Sequence, residues 1–288
     1  MKTINGITGF IKFVVSGTTS NAINYENAKF DWEVTKIGGN NTGSNKATVA
    51  DGIEIFTVLA DPSNSAAGGS PWNVADNTTT DDRVMPWVTA LRFAIDTAGT
   101  KGEATPATAL SQLTSYLHNG HGMTYDTTNG APGFGTFHGN QLSQDSFNLT
   151  NYINKTGTVV NCYDQAAAVY TLGRLLGIEV NYAYMNKFGY INTVNLVGVG
   201  NCNNPFYVGK PSPYNVPVVG SDDTGRTRFG NHAFAMLGDN VYDACALTLG
   251  ELFSSYLTSA IDTSTPAESA VAGTVTNRVF RTIALALP

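Results

Sequence analysis

Residues 158–178 restrict the possible folds of this chain more than any other segment, because they read as one helix with Cys162 in its first turn. Ala166, Val169, Tyr170, Gly173 and Leu176 recur at spacings of three and four, which makes one face of an α-helix apolar. Gly177 stands where a terminating glycine belongs, and residues 178–184 resume as a strand. A thiol at a helix start faces unpaired backbone N–H groups and the positive end of the helix dipole. Both favour the thiolate, the form that attacks a carbonyl. A cysteine there is equally at home as a small buried hydrophobe, so its meaning depends on what the rest of the chain brings to it.

Upstream, residues 1–80 have the character of β structure. Residues 10–15, 28–34 and 53–59 are short runs rich in Val, Ile, Phe and Trp, separated by Gly/Asn/Ser-rich turns at 38–43 and 64–69. This region offers no chemistry and is expected to be a β-rich accessory region, with residues 81–288 forming the second domain. From Asp81 the period changes: Val84, Trp87, Val88, Leu91, Ala94, Ile95 and Ala98 form a helical stripe with Pro86 in its first turn. A second helix starts cleanly at Thr105-Pro106, carries Leu110, Leu113, Tyr116 and Leu117, and ends at Asn119-Gly120. Residues 127–157 read as a long Gly/Asn-rich connection, and residues 198–230 as a second irregular stretch containing four prolines. Long loops inside a domain often border functional sites.

After the second loop, Ala233, Ala235 and Leu237 alternate with His232, Phe234 and Met236, the pattern of a strand whose histidine face lines a cleft. Gly238-Asp239-Asn240 is a tight hairpin turn, and residues 241–245 return as the paired strand. A helix over 247–261 and a strand over 274–287 complete the expected elements. The hairpin brings His232 and Asp243 into cross-strand proximity. A carboxylate that accepts from one ring nitrogen fixes the imidazole tautomer and leaves the other nitrogen for a thiol. If the hairpin packs on the start of the Cys162 helix, the three residues form a Cys–His–Asp nucleophilic triad.

Those residues resemble the transglutaminase-like cysteine enzyme superfamily. Cys162, Ala166, Leu172, Arg174, Gly177 and Ile178 match the pattern along its catalytic helix. The family's His-Ala-Trp is similar to His232-Ala233-Phe234, and its strand-end Asp to Tyr242-Asp243-Ala244, where Ala replaces the common Pro. Met123-Thr124-Tyr125-Asp126 looks like the segment that precedes the family's cysteine. The resemblance covers roughly residues 83–250. It implies an α+β, papain-like core, with the catalytic helix packed on an antiparallel sheet beside the β-rich N-terminal region. In that core Cys162 would be the nucleophile, His232 the general base and then acid, and Asp243 the residue that orients the imidazole. The Cys162 N–H would be one oxyanion donor; Asn140 and Gln141 suit the second by residue type alone.

The implied activity is hydrolysis of amide bonds by a cysteine peptidase or amidase. Transfer to an amine or glutamine deamidation by the same triad, and a non-catalytic binding domain on the same fold, are the alternatives. The implied partner is a protein or peptide, cell-wall peptide included. A net charge of −6 argues against nucleic acid, whose phosphates call for a basic face. No apolar run approaches the roughly 20 residues of a membrane span. Only 13% of residues are charged, and Gly, Asn, Thr and Ser abound, a balance that suits a secreted or cell-surface protein. Residues 1–6 show no apolar segment of signal-peptide type.

Cys162, Cys202 and Cys245 make an odd count, which suggests a Cys202–Cys245 disulfide and one free thiol; two unrelated buried thiols are the alternative. No cofactor or metal is expected. His118, His121 and His138 are irregularly spaced, and Asp222-Asp223 lacks the alternating ligands of a calcium loop and reads as a turn.

Overall fold

A computed structural model describes residues 2–4, 7–9, 21–28, 31–35, 44–48, 53–60, 88–137, 146–265, 278–281 and 285–287. The expected strand at 10–15, Pro86, Trp87, His138, Asn140 and Gln141 lie outside the described residues. The run expected at 28–34 is two strands, Asn24–Ala28 and Asp31–Thr35. The first of these, β1, pairs antiparallel with β2 (Ile53–Thr57). The residue just ahead of β1 ties this strand pair to the helical part of the chain. Ile23 is fully buried, exchanges backbone hydrogen bonds with Glu103 and Gly102, and belongs to the same apolar cluster as the Cys162 helix.

Helix α1 (Val88–Arg92) runs into a single π-helical turn, Phe93–Thr97. Helix α2 (Pro106–Asn119) forms as its sequence dictates: Thr105 Oγ1 accepts from the Thr108 N–H at 3.2 Å, and proline takes the first helical position. Leu110, Leu113 and Leu117 are fully buried, each contributing roughly 1.5–3 kcal/mol of apolar burial. Two short strands, β3 (Thr124–Tyr125) and β4 (Val159–Val160), pair in parallel just ahead of helix α3 (Cys162–Leu175).

Helix α3 is buried beyond the apolar face that its period marks. It is buried on all sides, with Ala166, Ala167 and Ala168 letting its neighbours approach closely. Gly173 is needed for the same reason, because a Cβ there would lie 2.9 Å from both Leu110 and Val180. The helix stops in a Schellman motif: Gly177 adopts φ +77°, Gly177 N–H donates to Arg174 O and Ile178 N–H to Gly173 O. Arg174 then closes the turn by donating from Nε to Val180 O at 2.8 Å while its guanidinium lies over the Tyr170 ring.

The sheet under α3 is antiparallel throughout. Its order is β8 (Thr248–Leu252), β7 (Asn240–Asp243), β6 (Phe229–Leu237), β5 (Asn181–Gly189) and β9 (Arg278–Arg281). The molecule is thus a mixed α and β structure built mainly on antiparallel sheets. The turn between β6 and β7 has two residues rather than three, since Leu237 pairs directly with Asn240 and Gly238 supplies φ +58°.

Two expectations are corrected. Residues 127–157 are not structureless: a helix at Leu149–Ile153, capped by Asn148, and strands Gly135–Thr136 and Ser146–Asn148 lie within them. Five helical residues are too few to show a period. The helix expected over 247–261 is strand β8 followed by the shorter α4 (Phe253–Ala260). Leu247 at φ 57° and Gly250 at φ 100° are incompatible with a continuous helix, and β7 offers an edge to pair with. The strand expected at 274–287 is described as Arg278–Arg281 and Leu285–Leu287. No helix among the described residues is long and apolar enough to cross a membrane.

Candidate active site

The start of α3 is a complete capping box. Asn161 Oδ1 accepts from the N–H groups of Tyr163 (2.9 Å) and Asp164 (3.2 Å), and Asp164 Oδ2 accepts from the Asn161 N–H at 3.1 Å. Asp164 also accepts from the Gly133 and Phe134 N–H groups at 2.7 and 3.0 Å, which fastens the loop ahead of Gly135 to the helix start. Burial pushes its carboxyl up to about 6, against the opposing pull of those backbone donors. With these donors used, the Cys162 N–H has no hydrogen-bond partner among the described residues and stays available beside its own sulfur.

Asp164→Ala is therefore expected to destabilise the protein by about 2–4 kcal/mol, because three buried or partly buried N–H groups lose their acceptor. Urea denaturation at neutral pH measures it, and an unchanged midpoint would refute the anchoring role.

The hairpin β6–β7 carries the second part of the site. Continuing its register places Phe234 opposite Asp243, so His232 is a diagonal neighbour of Asp243 on the same face. His232 Nε2 lies 2.8 Å from Asp243 Oδ2. Asp243 further accepts from the Cys245 N–H (2.8 Å), the Ala246 N–H (3.3 Å) and the Tyr256 hydroxyl (2.8 Å). Burial works against charge on the imidazole, but the Asp243 carboxylate and then Cys162 outweigh it and hold the His232 pKa up at about 10. Burial also opposes charge on Asp243, yet His232 and the Tyr256 and Cys245 donors keep its carboxyl below the usual range.

Cys162 and the hairpin meet through the residue three positions down the helix. Gln165 Nε2 donates to Ala244 O at 3.2 Å, and His118 Nδ1 bonds the same carbonyl at 3.0 Å. The Tyr152 hydroxyl holds Gln165 from the other end. A second tie joins the flanking residues, with the Tyr163 hydroxyl donating to Asn231 Oδ1 at 2.7 Å. Since Nε2 is committed to Asp243, Nδ1 is the nitrogen left for the sulfur of Cys162. It is buried, and no other partner takes it among the described residues. The three residues read from the sequence are thus brought together, in the order sulfur, imidazole, carboxylate.

The centre is enclosed: Cys162, His232 and Asp243 are 3%, 2% and 1% exposed. Phe188 and Phe229 lie 4.6 and 5.1 Å from the His232 ring, and a cavity of about 10 Å³, room for about one water, sits against His232, Asp243, Cys245 and Tyr256. Such surroundings strengthen the attraction within the triad. The irregular stretch at 198–230 contributes Phe206 and Phe229 and docks on the earlier loop, through Val208 N–H to Thr127 O at 3.2 Å and Phe206 against Gly130. Asn161 Nδ2 fixes Gly130 O at 2.8 Å. The stretch itself is held by Asn204, which accepts from Thr227, and by the buried Arg226–Asp262 ion pair.

The remaining candidates serve the framework. His118 and His121 bond backbone carbonyls, the latter to Tyr152 O, and Asp223 accepts from the Gly225 N–H within a turn. The Cys202–Cys245 disulfide is not formed; all three thiols are free. Cys202 donates instead to Pro217 O at 3.3 Å, and burial pushes its pKa up to about 11. Cys245 lies against the His–Asp pair, where burial and then the Asp243 charge push its thiol up. Sequence reasoning missed Gln165 and Tyr256. The Gln165 position three residues after Cys162 was visible as a same-face placement, whereas nothing local marks Tyr256.

No family model, curated protein or solved structure matches the chain.

Proposed function

We propose that the chain is a cysteine hydrolase that cleaves amide or peptide bonds through a thioester acyl-enzyme, on a transglutaminase-like, papain-like core. The observation that carries this reading is the buried His232–Asp243 pair, whose free ring nitrogen is left to a cysteine at a capped helix start. In the first step the Cys162 thiolate attacks the carbonyl carbon and the carbonyl π pair moves to oxygen. Collapse expels the amine, which takes its proton from His232. Water then attacks the thioester, giving a proton to His232 and releasing a carboxylic acid and the thiolate. Asp243 holds the imidazole in one tautomer and stabilises its charged form. A secreted protein or a cell-wall peptide is the substrate class that fits this chemistry and the weakly charged composition.

Two measurements test the reading. Limiting iodoacetamide is expected to alkylate Cys162 and to spare Cys202 and Cys245, whose thiols are held protonated. Mass spectrometry of a protein and peptidoglycan panel is expected to find new amino termini or released amines that Cys162→Ala does not produce. Equal labelling of the three thiols in the native protein would overturn the nucleophile assignment. Ammonia release or amine incorporation in place of hydrolysis would redirect it to deamidation or acyl transfer.

A further inference from the structure

We propose that Tyr256 is a positioning residue of this site. Its hydroxyl shares Asp243 Oδ2 with His232, which fixes the oxygen that faces the imidazole and limits how tightly the imidazolium is held. The inference rests on the thiol-attack reading above.

The geometry is that of one oxygen between two donors. His232 Nε2 and the Tyr256 hydroxyl each lie 2.8 Å from Asp243 Oδ2, while Oδ1 accepts from the N–H groups of Cys245 and Ala246. A carboxylate has about four acceptor sites, so this one is filled and cannot turn Oδ1 toward the ring without breaking several bonds. The tyrosine is itself held in place. Its ring is fully buried against Phe234 at 5.2 Å and Phe188 at 6.2 Å, and Phe188 also packs on the His232 ring. Helix α4, which carries it, is fastened at both ends. The Phe253 N–H donates to Asp239 O at 2.8 Å, and Asn192 Nδ2 donates to the carbonyls of Thr258, Ser259 and Ile261 at 3.1 Å each.

A buried tyrosine needs only some acceptor. Tyr152, Tyr163 and Tyr190 satisfy theirs with the neutral oxygens of Gln165, Asn231 and Thr224. Tyr256 instead donates to the carboxylate that holds the imidazole, and two donors on one oxygen compete for its charge. With the hydroxyl in place, Asp243 attracts the imidazolium less than a carboxylate bonded to His232 and the backbone alone would. That serves the reaction, because an imidazolium held too tightly gives up its proton slowly to the leaving amine. Burial, and then the Asp243 charge, keep the phenol well above its ordinary pKa, so it remains a donor. The other ionisable groups around this cluster are Cys162 and Asp164 from α3, Tyr125 from β3, His118 from α2 and Cys245 on the turn after β7. A change at position 256 leaves all of them in the chain, so a shift in the titration of His232 reports the hydroxyl.

The probe is iodoacetate, whose reaction at Cys162 is followed by mass spectrometry over a pH series. The anion is drawn by the neighbouring imidazolium, so its rate falls as His232 loses its proton, and the midpoint of that alkaline limb reads the pair. Tyr256→Phe is expected to raise the midpoint by about 0.5–1 pH unit. Replacing Tyr256 by 3-fluorotyrosine, a stronger donor of nearly the same shape, is expected to lower it. The fluorinated protein keeps the buried ring and the hydroxyl, so its result stands even where the phenylalanine variant folds poorly. A midpoint unmoved by both changes would overturn the proposal, and a lower melting temperature with an unmoved midpoint would reduce Tyr256 to a structural prop. Shifts of the same sign in both variants would overturn it too, by tracing the effect to shape and not to hydrogen-bond strength. Wild-type protein that iodoacetate does not label at Cys162, or labels with no alkaline limb, would remove the cysteine–histidine reading itself.

Discussion

Cys162→Ala is expected to lower turnover by at least about 10⁴-fold, leaving only what binding and the oxyanion donors supply without a nucleophile. No neighbour can take over. Cys245 is the nearest other thiol in the charge environment of the pair, but burial and the Asp243 carboxylate hold it protonated, and it sits against the cavity behind His232. Cys202 is engaged with the Pro217 carbonyl. The fold itself should survive, since replacing a sulfur by hydrogen at a site 3% exposed leaves a small cavity worth about 1 kcal/mol. Steady-state assay on the substrate found in the panel, with a thermal melt as control, measures both effects. Turnover within tenfold of wild type in a folded variant would refute the nucleophile assignment.

Asp243→Asn should have the second-largest effect, because that carboxylate serves catalysis and stability together. It accepts from His232, Tyr256, Cys245 and Ala246, and an asparagine turns an NH₂ group toward at least one of those donors. Turnover is expected to fall by about 10²–10⁴-fold as the imidazole loses its enforced tautomer. Stability is expected to fall by about 3–5 kcal/mol, as for breaking a buried pair.

The pH dependence of that loss comes from the two shifts. Folding raises the His232 pKa from 6.5 to about 10, so its contribution is fully present below 6.5 and is lost as pH rises through about 10. Folding lowers the Asp243 pKa, so its contribution is present above 3.8 and is lost as pH falls through the depressed value. The gap in stability between wild type and Asp243→Asn should be widest between those two ordinary values and should narrow toward pH 10. Denaturation over a pH series checks it, and a gap that widens above pH 8 would contradict the assigned charge states.

Local chemistry explains why some of this was readable in the chain. Thr105-Pro106 and Gly177 act through the backbone of their own residues, so the helices they bound appear where the sequence places them. Gly238 marks the turn by its own positive φ, although the turn has two residues and not the expected three, and the turn sets which residues of β6 and β7 share a face. Residues 247–261 failed for the opposite reason. Leu249 and Leu252 carry an ambiguous period, and the decision between strand and helix was made by the free edge of β7. The expected disulfide failed similarly, because which thiols meet depends on the path of the 198–230 stretch and not on their spacing.

By itself, then, the sequence determined the helix that begins at Cys162, its stop, and a hairpin placing a histidine and an aspartate on one face, all consequences of interactions within a few residues. Only the tertiary structure decided that the hairpin lies against the helix start, through Gln165 and His118 on the Ala244 carbonyl. It also brought Tyr256 to Asp243 and set Phe188 and Phe229 against the His232 ring. Those contacts join residues far apart in the chain, and their free energy comes from burial and desolvation that exist only once the layers have packed.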